Sequence, residues 1–170
     1  MNIIETDIQE TKKIADIIKF VESIDVNYFN TESDIIYVRQ PFLISLIMIN
    51  NNQFNPETFG EIIKAYLIIW EYFKDRKNIS KYQICEDQFE RILQRNTLML
   101  KYYEGEPTDK SKLAVVSEDL GHLKSKALMT GLFYQFNTNP VLVHMDGKTR
   151  GIQIISMKTL IECFEEIENK

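Results

Sequence analysis

The stretch Val141-Leu142-Val143-His144-Met145-Asp146-Gly147-Lys148-Thr149-Arg150-Gly151-Ile152-Gln153-Ile154-Ile155 decides how this fold is read. Two β-branched runs flank Asp146-Gly147. An Asp-Gly pair between apolar runs is the strongest short-range hairpin signal, because both residues tolerate the positive φ of a primed turn. The pattern predicts antiparallel strands at 141–145 and 150–155. A hairpin alone is marginal in water, so it needs further surface, and Asp34-Ile35-Ile36-Tyr37-Val38 offers a third strand at 34–38. The expected fold class is therefore α+β, predominantly α-helical: about six helices with a small antiparallel sheet built on the C-terminal hairpin 141–155 and joined by 34–38.

Upstream of Pro140 the apolar residues mostly recur at helical spacing. Thr6-x-x-Gln9 reads as a capping box, followed by Ile8, Ile14, Ile17, Ile18, Val21 and Ile24 on one stripe, so a first helix is expected over 7–24. Pro41 suits the first turn of a helix over 42–50, which is apolar nearly all round and so belongs in the core. Asn55-Pro56-Glu57 is a strong helix start. Phe59, Ile62, Ile63, Tyr66, Leu67, Trp70 and Phe73 then keep one face, which predicts a largely buried Trp70. Further helices are expected over 81–103, stopped by Gly105 and Pro107, from Ser117 through Leu132, and from a Ser156 cap through Ile167. The segment 104–112 between two of them is the expected mobile loop.

The 170 residues fit one domain, large enough to bury about 70% of its unfolded surface without disulfides or metal. The 44% hydrophobic and 26% charged fractions match a folded soluble domain rather than a disordered one. Abundant Ile with scarce Ala resembles the bias of AT-rich genomes. A net charge of −5 argues against a dedicated nucleic-acid binder, whose affinity rests largely on phosphate contacts. Met1-Asn2-Ile3-Ile4-Glu5-Thr6-Asp7 carries no basic-then-apolar signal pattern. The most apolar run, 42–49, is far shorter than a membrane span needs. With only Cys85 and Cys163, reduced thiols in a cytoplasmic protein are expected.

Motifs that carry chemistry are sparse. Gly147-Lys148-Thr149 resembles the tail of a phosphate-binding loop, but Leu142 stands where the first glycine is needed and a strand is expected where a helix should follow. Glu118, Asp119 and His122 share a helical face, without the second acidic-histidine pair that a di-metal bundle requires. No Gly-x-Ser-x-Gly elbow is present, and neither Cys85 nor Cys163 has a histidine nearby in sequence. An active site around His144, Cys85 or Cys163 stays open on spatial grounds alone. Glu86, Asp87, Glu90, Arg91 and Arg95 read as a salt-bridged solvent face, with Asp87 and Arg91 paired at i,i+4. Asn96 lies beside the apolar stripe, a candidate buried polar residue. No cofactor and no metal are expected.

Two groupings suggest binding instead. Lys124, Lys126, Lys148 and Arg150, with Tyr134 close by, would form a basic-aromatic patch if the hairpin tip lay beside the helix from Ser117. Aromatic residues beyond what helix stripes need cluster at Tyr102, Tyr103, Phe133 and Phe136, and such residues are enriched at interfaces. The expectation is a non-enzymatic cytoplasmic interaction or regulatory protein that binds a protein partner or a second copy of itself. The alternatives are an enzyme or small-ligand sensor with a site between helices and hairpin, and a nucleic-acid-binding regulator.

Overall fold

The computed structural model describes residues 3–170, with side chains from Ile8 onward apart from Leu113. In chain order the helices are α1 (Ile3–Ser23), α2 (Val26–Arg39), α3 (Pro41–Ile49) and α4 (Pro56–Phe73), then α5 (Glu86–Gly105), α6 (Asp109–Gly121), α7 (Lys126–Thr138) and α8 (Gly147–Glu168). A single 3-10 turn, Leu142–His144, lies between α7 and α8. No strand occurs among the described residues. The described residues form an all-helical fold of eight α-helices, where about six and a sheet were expected.

The hairpin expected at 141–155 is absent. Asp146-Gly147 serves as a helix start instead of a turn. Asp146 is extended and its Oδ1 accepts the Thr149 N–H at 3.0 Å, the N-cap arrangement. The Arg150 N–H donates to the Asp146 carbonyl and closes the first helical turn. Asp favours both motifs and the dipeptide does not choose between them. The choice is made downstream, where Met157, Leu160, Ile161, Phe164 and Ile167 form one helical stripe. Alternation would have buried Ile152 and Ile154 together. Instead Ile152 is 55% exposed while polar Gln153 is buried, its amide N–H held by Asn50 Oδ1 at 2.7 Å.

Every residue from Met157 to Glu165 is buried, so α8 is the central helix of the bundle. It packs most extensively on α5, and also touches α4 and α7. Ser156 is a mid-helix residue facing the Tyr66 hydroxyl, not a cap. The expected strand 34–38 is the second half of α2. Asp25 caps that helix through the Tyr28 N–H at 2.8 Å, and Glu32 and Ile36 are buried on one side. Spacing of buried contacts outweighed the β-propensity of Ile35 to Val38.

Other boundaries moved for local reasons. α1 is helical already at Ile3, and the Thr6 capping box lies outside the described side chains. The helix expected from 81 begins at Glu86, because the preceding turns are tied down by Gln40. That buried amide donates to the Ile79 and Tyr82 carbonyls at 2.9 and 2.8 Å and accepts from the Ile84 N–H at 3.0 Å. The single helix expected from Ser117 to Leu132 is two: a Thr108–Ser111 capping box starts α6 earlier, and the chain breaks between Gly121 and Ser125. The expected loop 104–112 shrinks to the three residues between α5 and α6.

The expectation for α4 stands. Helix α3 forms where expected but buries only Leu43, Leu46 and Ile47 and leaves Met48 and Ile49 exposed, so it borders the core instead of lying within it. Asn55 caps α4 through the Thr58 N–H at 2.9 Å, and Trp70 is 0% exposed. The Trp70 indole donates to Glu32 at 2.6 Å, fastening α2 to α4. Helices α1 and α7 approach closely at Gly131, where a Cβ would lie 2.7 Å from the Ile14 side chain.

Candidate functional site

A cleft of about 240 Å³ lies where α5, α6, α7 and α8 meet. Met99, Leu100 and Tyr103 of α5 form one wall, and Val115, Val116 and Leu120 of α6 face them. Phe133 of α7 and Ile154 and Ile155 of α8 make the floor. The cleft exists because α6 covers the bundle incompletely: no residue of α6 is buried among those described. Its rim is apolar too, with Leu100 and Val116 36% and 37% exposed.

One end of the cleft is polar and charged. Lys158 is buried, and three oxygens surround its ammonium: Asn96 Oδ1 at 2.7 Å, Glu162 Oε1 at 2.9 Å and Asp119 Oδ1 at 3.1 Å. Asn96 is buried as well, and its Nδ2 donates to Thr159 Oγ1 at 3.0 Å and Glu162 Oε2 at 2.7 Å. Its amide orientation is fixed by its partners, since an ammonium can only donate and a carboxylate only accept. Arg95 completes the group with a 2.7 Å ion pair to Glu162 from the solvent side. Buried charges persist only when paired and hydrogen-bonded. Here two cations meet two carboxylates, and α5, α6 and α8 are clasped together.

Asn96, named from the sequence, is central to this cluster; Lys158 was missed. Its signal was present as Lys158-x-x-x-Glu162, an i,i+4 pair inside the helix expected from Ser156 through Ile167, but such a pair reads equally as a solvated face until α5 and α6 are seen to cover it. Asp119 pairs with Lys158 rather than with His122, which caps the C-terminal end of α6 and is exposed. Arg91 reaches Glu166 at 2.7 Å, across to α8, instead of pairing with Asp87 along its own helix.

The remaining expected site residues scatter. Lys124 bonds the Asn169 side chain at the C-terminal end of α8, whereas Lys148 stands in the first turn of that helix. At a rise of about 1.5 Å per residue those ends lie roughly 30 Å apart. Lys126 opens α7, Tyr134 is 64% exposed on it, and Arg150 is half-buried. Tyr102 is 61% exposed, and half-buried Tyr103 and Phe133 line the cleft. Phe136 is fully buried and belongs to the core.

His144 borders a different, open groove of about 390 Å³ with Asn55, Asp146 and Thr149. It precedes α8, while Cys163 lies sixteen residues into it from Gly147, about 24 Å along the axis. That histidine and that thiol do not meet. Gly147-Lys148-Thr149 does open a helix, contrary to the strand expectation, yet the Asp146 carboxylate already occupies its N-terminus where a phosphate would sit. Among the described residues no three His, Cys, Asp or Glu side chains converge as metal ligands.

Burial, then the Glu166 and Glu162 charges, push the Cys163 thiol well above its ordinary range, whereas Cys85 is exposed at the cap of α5. Only a thiolate attacks a disulfide reagent. Titration with an aromatic disulfide at neutral pH is expected to modify Cys85 alone in the native protein, and Cys163 only in denaturant. Two fast-reacting thiols without denaturant would contradict the burial.

Two further groups of polar side chains are spent on structure. Tyr28 donates to Glu71 at 2.6 Å, and Lys74 bridges Glu71 and Glu32, joining α2 to α4. Burial and then the Glu71 bond push the Tyr28 phenol up to about 12. Tyr72 donates to Glu10 beneath the Arg76 guanidinium, and burial followed by that bond raises it to about 12 as well. Comparison with family models, with curated proteins and with solved structures finds no match.

Proposed function

We propose that this chain is a non-enzymatic, cytoplasmic interaction protein that binds a protein partner on its α5–α6 face, with an apolar side chain of the partner seated in the cleft. The observation that carries this is an apolar cleft with exposed apolar side chains beside it. Leu98 and Tyr102 of α5 are 64% and 61% exposed, one residue off the wall formed by Met99 and Tyr103. Leu100 and Val116 complete the rim. A concave apolar site ringed by large exposed side chains is the usual form of a docking groove for an amphipathic segment. The polar groups beside it pair with one another, which leaves no free nucleophile-base pair in the cleft and favours binding over chemistry. The nucleic-acid alternative has less support, since Lys124 and Lys148 lie at opposite ends of α8. No helix among the described residues is long and apolar enough to cross a membrane.

Selection of short random peptides on the immobilised chain tests this reading. Enriched sequences are expected to carry apolar residues at i, i+3 or i+4 and i+7. Leu98→Glu and Val116→Glu should each weaken the selected peptides by about tenfold or more. Val26→Glu, an exposed position on α2, should leave them unchanged. No enrichment, or binding indifferent to Leu98→Glu and Val116→Glu, would overturn the proposal.

A further inference from the structure

The cleft's polar end restricts what can enter it. We infer that the partner's anchor is an aromatic side chain bearing a neutral hydrogen-bond donor, the phenol of tyrosine or the indole of tryptophan, with Asp119 as its acceptor; this rests on the docking reading above. The argument is an inventory of donors and acceptors. Lys158 has three N–H groups and three oxygens within 3.1 Å. Both N–H groups of the Asn96 amide are used, on Thr159 and Glu162. Arg95 keeps further N–H groups but does not line the cleft. Of the residues that do, neither Lys158 nor Asn96 has a donor left for an incoming anion, so a carboxylate or phosphate inside the cleft would have to displace Asp119 from Lys158. An acceptor does remain. Asp119 gives Oδ1 to Lys158, its side chain is 25% exposed, and it lines the cleft, so Oδ2 is available to a donor.

Charge and shape narrow the class further. Lys158 and Arg95 balance Asp119 and Glu162, so the cluster offers no net charge to hold a cation, and an entering ammonium would meet that of Lys158. The body of the ligand must be apolar, because Val115, Ile154 and Phe133 surround it. A dry cavity of about 150 Å³ accepts benzene. The larger volume here suits a substituted or bicyclic ring, and Tyr103 and Phe133 supply aromatic walls against which such a ring packs edge or face.

The test uses the full chain and four probes: 4-methylphenol, 3-methylindole, toluene and 4-methylbenzoate. Binding is followed by NMR of labelled methyl groups at Leu100, Val116 and Ile154. The phenol and the indole are expected to bind about tenfold more tightly than toluene, the increment of one hydrogen bond to a charged acceptor. The benzoate should bind more weakly than toluene. In Asp119→Ala that preference should collapse to the toluene level while the benzoate gains, because Lys158 then has an N–H to offer. Asp119→Asn, which keeps an acceptor oxygen, should retain part of the preference. Equal affinities for toluene and 4-methylphenol, tighter benzoate binding, a phenol preference that survives Asp119→Ala, or no binding of any probe would overturn the inference. Failure of peptide selection with the probe preferences intact would instead remove the docking proposal. Peptides that bind the face without Tyr or Trp at the anchor would remove this inference alone.

Discussion

Lys158→Met is expected to lower the unfolding free energy by about 3–5 kcal/mol, read from chemical denaturation at neutral pH. The size follows from what the change leaves behind. The ammonium is buried between Asn96, Glu162 and Asp119. Its removal leaves Asn96 Oδ1 and the Asp119 carboxylate without their partner, and Glu162 with only Arg95 and Asn96. Methionine nearly preserves the volume, so cavity formation does not explain the loss. Replacing Lys158, Glu162 and Asn96 together by apolar residues of similar size should recover most of it, because buried ion clusters are often no more stabilising than a packed apolar substitute. A loss below about 1 kcal/mol in the single variant would mean that Lys158 reaches water, contrary to the burial described.

Gln40→Ala should cost about 3 kcal/mol or more, from three backbone groups losing their partner at once. The Ile79 and Tyr82 carbonyls and the Ile84 N–H all depend on this one amide. The Ile84 amide should also exchange with solvent faster than its neighbours in α5. Gln40→Glu separates the roles: a carboxylate still accepts from Ile84 but cannot donate to two carbonyls, so it should be nearly as damaging. Wild-type stability in either variant would show that the turns between α4 and α5 hold themselves.

The sequence was most legible where local and long-range signals agreed. The Asn55 cap, Pro56 and the stripe through Trp70 specify α4 at every level, and the helix is found there with Trp70 buried. It misled where a short motif has two meanings. Asp146-Gly147 favours a hairpin and a helix cap alike, and Ile152 to Ile155 favours a strand locally. The deciding term is the burial of α8 on α4, α5 and α7, which no window of fifteen residues contains. In the same way, Ile35 to Val38 read as a strand until Glu32 and Ile36 are seen buried on one helical face. The site was legible only in parts. Tyr103, Phe133 and Asn96 could be named as unusual, but they belong together only because α5 and α7 converge on α8. Lys158 lay within the helix expected from Ser156 onward, but nothing local shows that Asn96 of α5 and Asp119 of α6 close over its ammonium.

The docking proposal is tested most directly by a hydrogen-exchange footprint of the full chain with and without a selected peptide. Slower exchange is predicted along the second half of α5, along α6 and in the first turns of α8, with α1, α2 and α4 unchanged. Protection confined to α1, α2 or α4, with α5 and α6 exchanging as in the free protein, would contradict it.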